Sequence, residues 1–118
     1  MTARVRWGLI GGSGSTGLRA PDARPVAAAE AATPWGEPSG PLWQWTVGTD
    51  AFLLQYRHGD PHRLLPHEVN YRANVWQLRR AGVDAIVGLN TVGGIDPGLA
   101  VGALVVPGQL IDYTTGRA

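Results

Sequence analysis

One apolar run that stops on charge constrains this chain most. Ala51-Phe52-Leu53-Leu54-Gln55-Tyr56 reads as a strand, and it breaks into Arg57-His58-Gly59-Asp60-Pro61-His62. A second cluster, Val69-Asn70-Tyr71-Arg72-Ala73-Asn74, follows soon after. An isolated Arg-His pair is more often a solvated surface pair. Here it sits at the end of an apolar strand, where open α/β sheets place their ligands. The guanidinium fork of Arg57 matches phosphate geometry, and His58 adds a donor to phosphate or to a sugar oxygen. The Asn-rich helix behind the pair is suited to fixing sugar hydroxyls or the loop that carries them.

The other elements follow from apolar patterning and turn residues. Val5 to Ile10 reads as a first buried strand, ended by Gly11-Gly12. Leu42 to Val47 and Ala51 to Tyr56 form a hairpin around Gly48-Thr49-Asp50. Val26 to Ala32 is ambiguous, because its alanines favour helix while Thr33-Pro34-Trp35-Gly36 stops it early. Pro66-His67-Glu68 opens a helix running to about Arg80, with Gly82 ending it. Its apolar residues fall on two stripes, one of Val69, Ala73 and Trp76 and one of Tyr71, Val75 and Leu78, which predicts a well-buried helix. Ala85-Ile86-Val87 has the all-apolar pattern of a central parallel strand. Leu104-Val105-Val106 and Leu110-Ile111 are further strand candidates. The sum is a single α/β domain with a mixed sheet.

Two glycine-rich turns join the Arg-His pair as anion-site candidates. Gly12-Ser13-Gly14-Ser15-Thr16-Gly17 matches the dinucleotide fingerprint G-x-G-x-x-G. That fingerprint needs a helix whose N-terminus faces the pyrophosphate. Pro21 and Pro25 leave room only for a very short one, so a nicotinamide dinucleotide is disfavoured. The preferred reading is a loop whose backbone N–H groups and Ser13 hydroxyl grip one phosphate; the bland alternative is a flexible turn. Asn90-Thr91-Val92-Gly93-Gly94 ends the strand after Ala85 and offers donors beside glycines that admit an anion closely. Its plain reading is a strand-to-turn transition.

Composition removes several chemistries. All ten basic residues are Arg, so there is no Schiff-base or phosphate-loop lysine. With no Cys there is no disulfide, thiolate nucleophile or sulfur-ligated metal. His58, His62 and His67 fit no zinc spacing, since Gly59 and Pro61 break any helix between them. No metal is expected. His62 reads as a loop residue near the sugar or a subunit contact, and His67 as exposed. A net charge of +1 argues against nucleic acid or an acidic membrane as partner. No apolar stretch approaches the roughly 20 residues that span a bilayer, and Thr2 to Arg6 lacks a signal-peptide core. A cytoplasmic protein is expected. No nucleophile-base set or G-x-S-x-G elbow is present; if the chain is an enzyme, phosphate itself is the expected nucleophile and co-substrate, acted on through positioning and electrostatics.

These residues resemble the purine nucleoside phosphorylases of the methylthioadenosine phosphorylase type. The matching pieces are Gly8 to Gly14, Thr33 to Ser39, Arg57-His58-Gly59 with His62 and Pro66, Val69 to Asn74, Asn90 to Gly94, and Gln109 to Thr114. They occur in family order along nearly the whole chain, and the bacterial S-methyl-5'-thioinosine phosphorylase branch is the nearest likeness. The resemblance implies a mixed-sheet, Rossmann-like nucleoside-phosphorylase fold. It implies phosphorolysis of S-methyl-5'-thioinosine or S-methyl-5'-thioadenosine to the purine base and 5-methylthioribose 1-phosphate. A general purine nucleoside phosphorylase, or a non-catalytic phosphate-binding and oligomerising remnant, are the alternatives.

The resemblance assigns phosphate binding to Ser13, Arg57, His58, Asn90 and Thr91 and substrate binding to His62, with no cofactor. Thr16 competes with Ser13, because the loop is slightly longer than the family's. The positions that read the purine lie in the second half of family members, so residues 1–118 correspond to the N-terminal part of the domain. The chain is expected to be truncated and inactive by itself. The family's trimeric habit, with five Trp and an apolar helix, predicts a homo-oligomer.

Overall fold

A computed structural model describes residues 4–26 and 32–116. The ambiguous segment after Val26 lies almost wholly outside them. The described chain forms one five-stranded mixed sheet. In chain order its strands are β1 (Arg6–Gly11), β2 (Arg24–Pro25), β3 (Trp43–Val47), β4 (Asp50–Tyr56) and β5 (Ala85–Leu89). One helix, α1 (Tyr71–Arg80), separates β4 from β5, and a single 3-10 turn covers Ser13–Ser15. The sheet order is β2-β3-β4-β1-β5. β1 pairs parallel to both β4 and β5, while β3 pairs antiparallel to β2 and β4.

The expected hairpin is present, with Val47 opposite Asp50 across the Gly48-Thr49 turn. Gly48 takes φ +60°, a conformation that costs glycine little. Leu53 and Leu54 on β4 are fully buried, and Leu42, Leu53 and Leu78 form the centre of the core. Ile10, Ala81 and Val83 pack around them.

Three expectations need correction. First, the helix starts at Tyr71 and not at Pro66. Asn70 is the N-cap, its Oδ1 accepting the Ala73 N–H at 3.1 Å, and this satisfies a donor that a helix start otherwise leaves open. Glu68 stays in the preceding turn, where its Oε2 accepts the Leu65 N–H. Second, α1 buries only Ala73, Asn74 and Leu78. Tyr71 and Val75 are exposed, so the broad apolar face is not covered among the described residues.

Third, the strand predicted to be central lies at the sheet's edge. β5 pairs with β1 alone among the described residues, and Ile86 and Val87 are exposed. The strand candidates at Leu104–Val106 and Leu110–Ile111 form no strand, and their side chains are exposed. A strand needs a neighbour to take its backbone groups, and none of the described residues supplies one there.

Candidate functional site

Parallel pairing fixes where the chemistry gathers. Gly11 is in register with Tyr56 of β4 and with Leu89 of β5. The C-terminal ends of β1, β4 and β5 therefore lie side by side. The residues that follow are Gly12-Ser13, Arg57-His58 and Asn90-Thr91. Sequence spacing separates these three pairs widely; the sheet puts them on one edge, where open α/β sheets bind ligands.

Arg57 is held from several sides. Its backbone N–H donates to the Gly11 carbonyl at 3.0 Å, carrying the parallel ladder one step past β4. Its Nη1 donates to the Leu89 carbonyl at 3.1 Å. The guanidinium lies over Gly12, where a Cβ would collide with it. In the same way Thr91 Oγ1 fills the space beside Gly14 that a side chain there would occupy. The first two glycines of the G-x-G-x-x-G pattern are thus explained by close approach of Arg57 and Thr91. The loop continues as one 3-10 turn, not as the long helix a dinucleotide site requires.

His58 is buried, and its Nδ1 lies 2.9 Å from the Leu64 carbonyl. A carbonyl only accepts, so Nδ1 carries the proton. In the neutral ring Nε2 is then an acceptor, and in the charged ring a donor. His62 stacks on His58 with ring centroids 4.6 Å apart, and its Nε2 lies 3.4 Å from the Ser13 hydroxyl.

Two adjacent cavities share His58. A cleft of about 310 Å³ is lined by Ile10, Arg57, His58, Pro66, Tyr71, Gly88 and Asn90. A small cavity of about 60 Å³ holds Ser13, Thr16, His58, Asp60 and His62 among its walls. Ser13, Arg57, His58, His62, Asn90 and Thr91 therefore fall on one end of the sheet. Arg57, His58 and Asn90 line the larger cleft, Ser13 and His62 the smaller, and Thr91 sits against Gly14 in the loops after β5 and β1. Thr16 also lines the small cavity, so both hydroxyl candidates stay in range.

The charge differs between the two cavities. Asp60 is paired with Arg19 at 3.1 Å, and Arg19 also stacks over the Trp43 ring at 4.0 Å. That leaves the small cavity with a carboxylate whose charge is already balanced, while the larger cleft carries the Arg57 cation. An anion is better placed in the larger one. Burial pushes the Tyr56 phenol up, Arg19 opposing the shift and Asp60 adding to it.

Sequence reasoning missed one support and marked another. Ser15 is buried and its hydroxyl donates to the Gly12 carbonyl at 2.5 Å, shaping the turn under Arg57. Asn70 and Asn74 tie down the loop at residues 33–39: Asn70 Nδ2 donates to the Trp35 carbonyl at 2.6 Å, and Asn74 bonds Ser39. Ser15 left no signal beyond a hydroxyl in a glycine-rich turn, whereas the Asn-rich cluster after Val69 was the signal for the loop-fixing pair.

Known proteins extend this picture. The chain is 44% identical over 111 residues to a probable S-methyl-5'-thioinosine phosphorylase of Pseudomonas syringae pv. tomato, covering 94% of this chain and 44% of that protein. It is 45% identical over 111 residues to an S-methyl-5'-thioadenosine phosphorylase of Mycobacterium tuberculosis, covering 94% and 41%. The chain thus spans less than half the length of these relatives. Among solved structures it is similar to methylthioadenosine phosphorylase from Schistosoma mansoni in complex with adenine. That likeness has a TM-score of 0.60 and 40% identity, over 72% of this chain and 29% of that one. Residues 6–118 match the phosphorylase superfamily, and the chain belongs to that family.

Proposed function

We propose that this chain carries the phosphate grip of a nucleoside phosphorylase acting on S-methyl-5'-thioinosine or S-methyl-5'-thioadenosine. One observation carries the reading: Arg57-His58, the Ser13 loop and Asn90-Thr91 converge at the ends of three parallel strands in a chain of the phosphorylase superfamily. The names of its relatives support the methylthiopurine nucleoside as substrate class.

In this reading Arg57 offers phosphate its remaining guanidinium donors while Nη1 stays on Leu89. Asn90 and Thr91 add donors, His58 adds Nε2–H in its charged form, and Ser13 brings a hydroxyl from the adjoining small cavity. A phosphate oxygen attacks C1' of the methylthioribosyl group. The bond from C1' to the purine nitrogen breaks, its electron pair leaves with the base, and 5-methylthioribose 1-phosphate forms. The held dianion faces positive charge that develops on the sugar, an interaction stronger in the transition state than in the ground state. His62, stacked on His58, is placed for the sugar side. No cofactor enters this scheme. Trimeric assembly and a cytoplasmic location belong to the same reading.

The test is calorimetric titration of this chain with inorganic phosphate, beside phosphate-dependent base release from methylthioinosine, methylthioadenosine and inosine by the chain joined to the second half of a full-length relative. Saturable phosphate binding that weakens strongly in Arg57→Ala supports the grip. Faster release from the methylthio substrates than from inosine separates this reading from a general purine nucleoside phosphorylase. A second reading, phosphate binding and association without turnover, is favoured by the exposed apolar side chains Ile95, Leu104, Val106 and Ile111. Binding with no base release, together with an oligomer in light scattering, would select it. Absence of any phosphate binding would sink both.

A further inference from the structure

Ser39 and Asn74 form a buried polar pair that the scheme above does not use. Ser39 is 2% exposed and Asn74 1%. Asn74 Oδ1 accepts the Ser39 N–H at 2.8 Å, and Asn74 Nδ2 donates to Ser39 Oγ at 2.9 Å. Ser39 Oγ in turn donates to the Arg57 carbonyl at 2.6 Å. Arg63, on the loop after His58, closes the group by donating from Nη2 to the Ser39 carbonyl at 2.8 Å.

Polar groups in such a place destabilise the fold unless each finds its partners. Here every contact is made, and the chain of bonds ends on the residue that carries the anion fork. Arg57 is thereby clamped on both sides of its backbone. Its N–H is held by the Gly11 carbonyl and its carbonyl by Ser39. The clamp anchors in α1, a rigid element, through Asn74.

We infer that Ser39 and Asn74 are positioning residues for Arg57, an inference that rests on reading Arg57 as the phosphate holder. They fix the backbone from which the guanidinium reaches Leu89, so that its other donors keep one orientation toward the cleft. Neither touches the anion. Positioning of this kind is sensitive, because a displacement of about 1 Å at a binding group is felt strongly.

The experiment pairs titration with inorganic phosphate with nitrogen-15 NMR of the Arg57 Nε–H group. In Ser39→Ala, phosphate binds about tenfold more weakly, as expected for loss of a bond that aligns a charged donor. The Arg57 Nε–H signal loses its order on the nanosecond timescale, while those of Arg79 and Arg80 stay as in the parent chain. A merely structural role lowers the melting temperature and leaves the Arg57 signal of the folded protein unchanged. A folded Ser39→Ala with parental phosphate affinity and a parental Arg57 signal overturns the inference.

Should Ser39→Ala fail to fold, Ser39→Cys, which keeps the volume and exchanges the hydroxyl donor for a weak thiol one, decides by the same two readouts. An unchanged Arg57 signal there also overturns the inference, and a disordered one supports it. If the parent chain binds no phosphate while the variants still free Arg57, the anion reading falls and the clamp stands.

Discussion

Arg57 reaches past β1 to donate to the carbonyl of Leu89, 3.1 Å from its Nη1. β4 and β5 are not neighbours; β1 lies between them. The side chain can cross only because Gly12, at the end of β1, has no Cβ to stop it. One arginine thus laces the ends of three parallel strands together and keeps donors to spare for a ligand.

Substitution at the glycines tests this crossing. Gly12→Ala displaces the Arg57 guanidinium, and Gly14→Ala displaces the Thr91 hydroxyl. Gly17→Ala meets nothing within 4 Å and serves as the matched control. Titration with inorganic phosphate is expected to show binding strongly reduced in Gly12→Ala, less so in Gly14→Ala and unchanged in Gly17→Ala. Parental affinity in Gly12→Ala would contradict the role given to Arg57.

Lysine at position 57 separates charge from geometry. Arg57→Lys keeps the cation but has no fork, so it cannot hold Leu89 and bind an anion in two-pronged fashion together. Phosphate affinity should fall about tenfold in Arg57→Lys and about a hundredfold in Arg57→Ala, the scale of one and two charge-assisted hydrogen bonds. Equal affinity in lysine and arginine forms would mean that charge alone matters.

Asn70 does two jobs that two substitutions can divide. It caps α1 through Oδ1 and ties the Trp35 carbonyl through Nδ2. Asn70→Ala loses both, with a cost of about 1 kcal/mol for the cap alone. In a chain of this size that lowers the melting temperature by about 5 °C. Asn70→Asp keeps the cap and loses only the donor to Trp35, so its melting temperature should lie between those of the alanine form and the parent. Thermal unfolding by circular dichroism orders the three.

Tyr56 sets an alkaline limit on stability. Burial raises its folded pKa above the ordinary value of 10.0. Above about pH 10 the unfolded chain gives up the phenol proton while the folded chain retains it. The folded state then binds more protons than the unfolded one, so stability falls as pH rises toward the folded pKa. Below the ordinary value the contribution is fully present. Urea unfolding midpoints measured across this range should drop for the parent chain and stay flatter for Tyr56→Phe, which cannot ionise.

Much of the candidate site's layout was readable before any fold. Arg57 and His58 stood at the end of an apolar strand, and Ser13, Asn90 and Thr91 stood in glycine-rich turns after two others. Local rules of patterning and turn chemistry were enough to mark these ends, because strand, turn and ligand-facing loop each leave a signature in consecutive residues. The helix start was misread because Pro66 and Glu68 suit a first turn as well as they suit the turn before one. The Asn70 cap decided between the two.

Sequence by itself determined the strand-turn segments, the mixed α/β class and the residue types available for an anion. Only the tertiary structure decided which of them meet. That β1 lies between β4 and β5 is a matter of long-range pairing, and no local pattern records it. The same holds for β5: an all-apolar run reads as central, yet it is an edge strand among the described residues, because centrality depends on the neighbours a strand finds and not on its own composition. The reason for Gly12, the role of Ser15 and the bond from Ser39 to Arg57 are likewise contacts between residues far apart in sequence. Each exists only once the sheet has brought three strand ends to one edge.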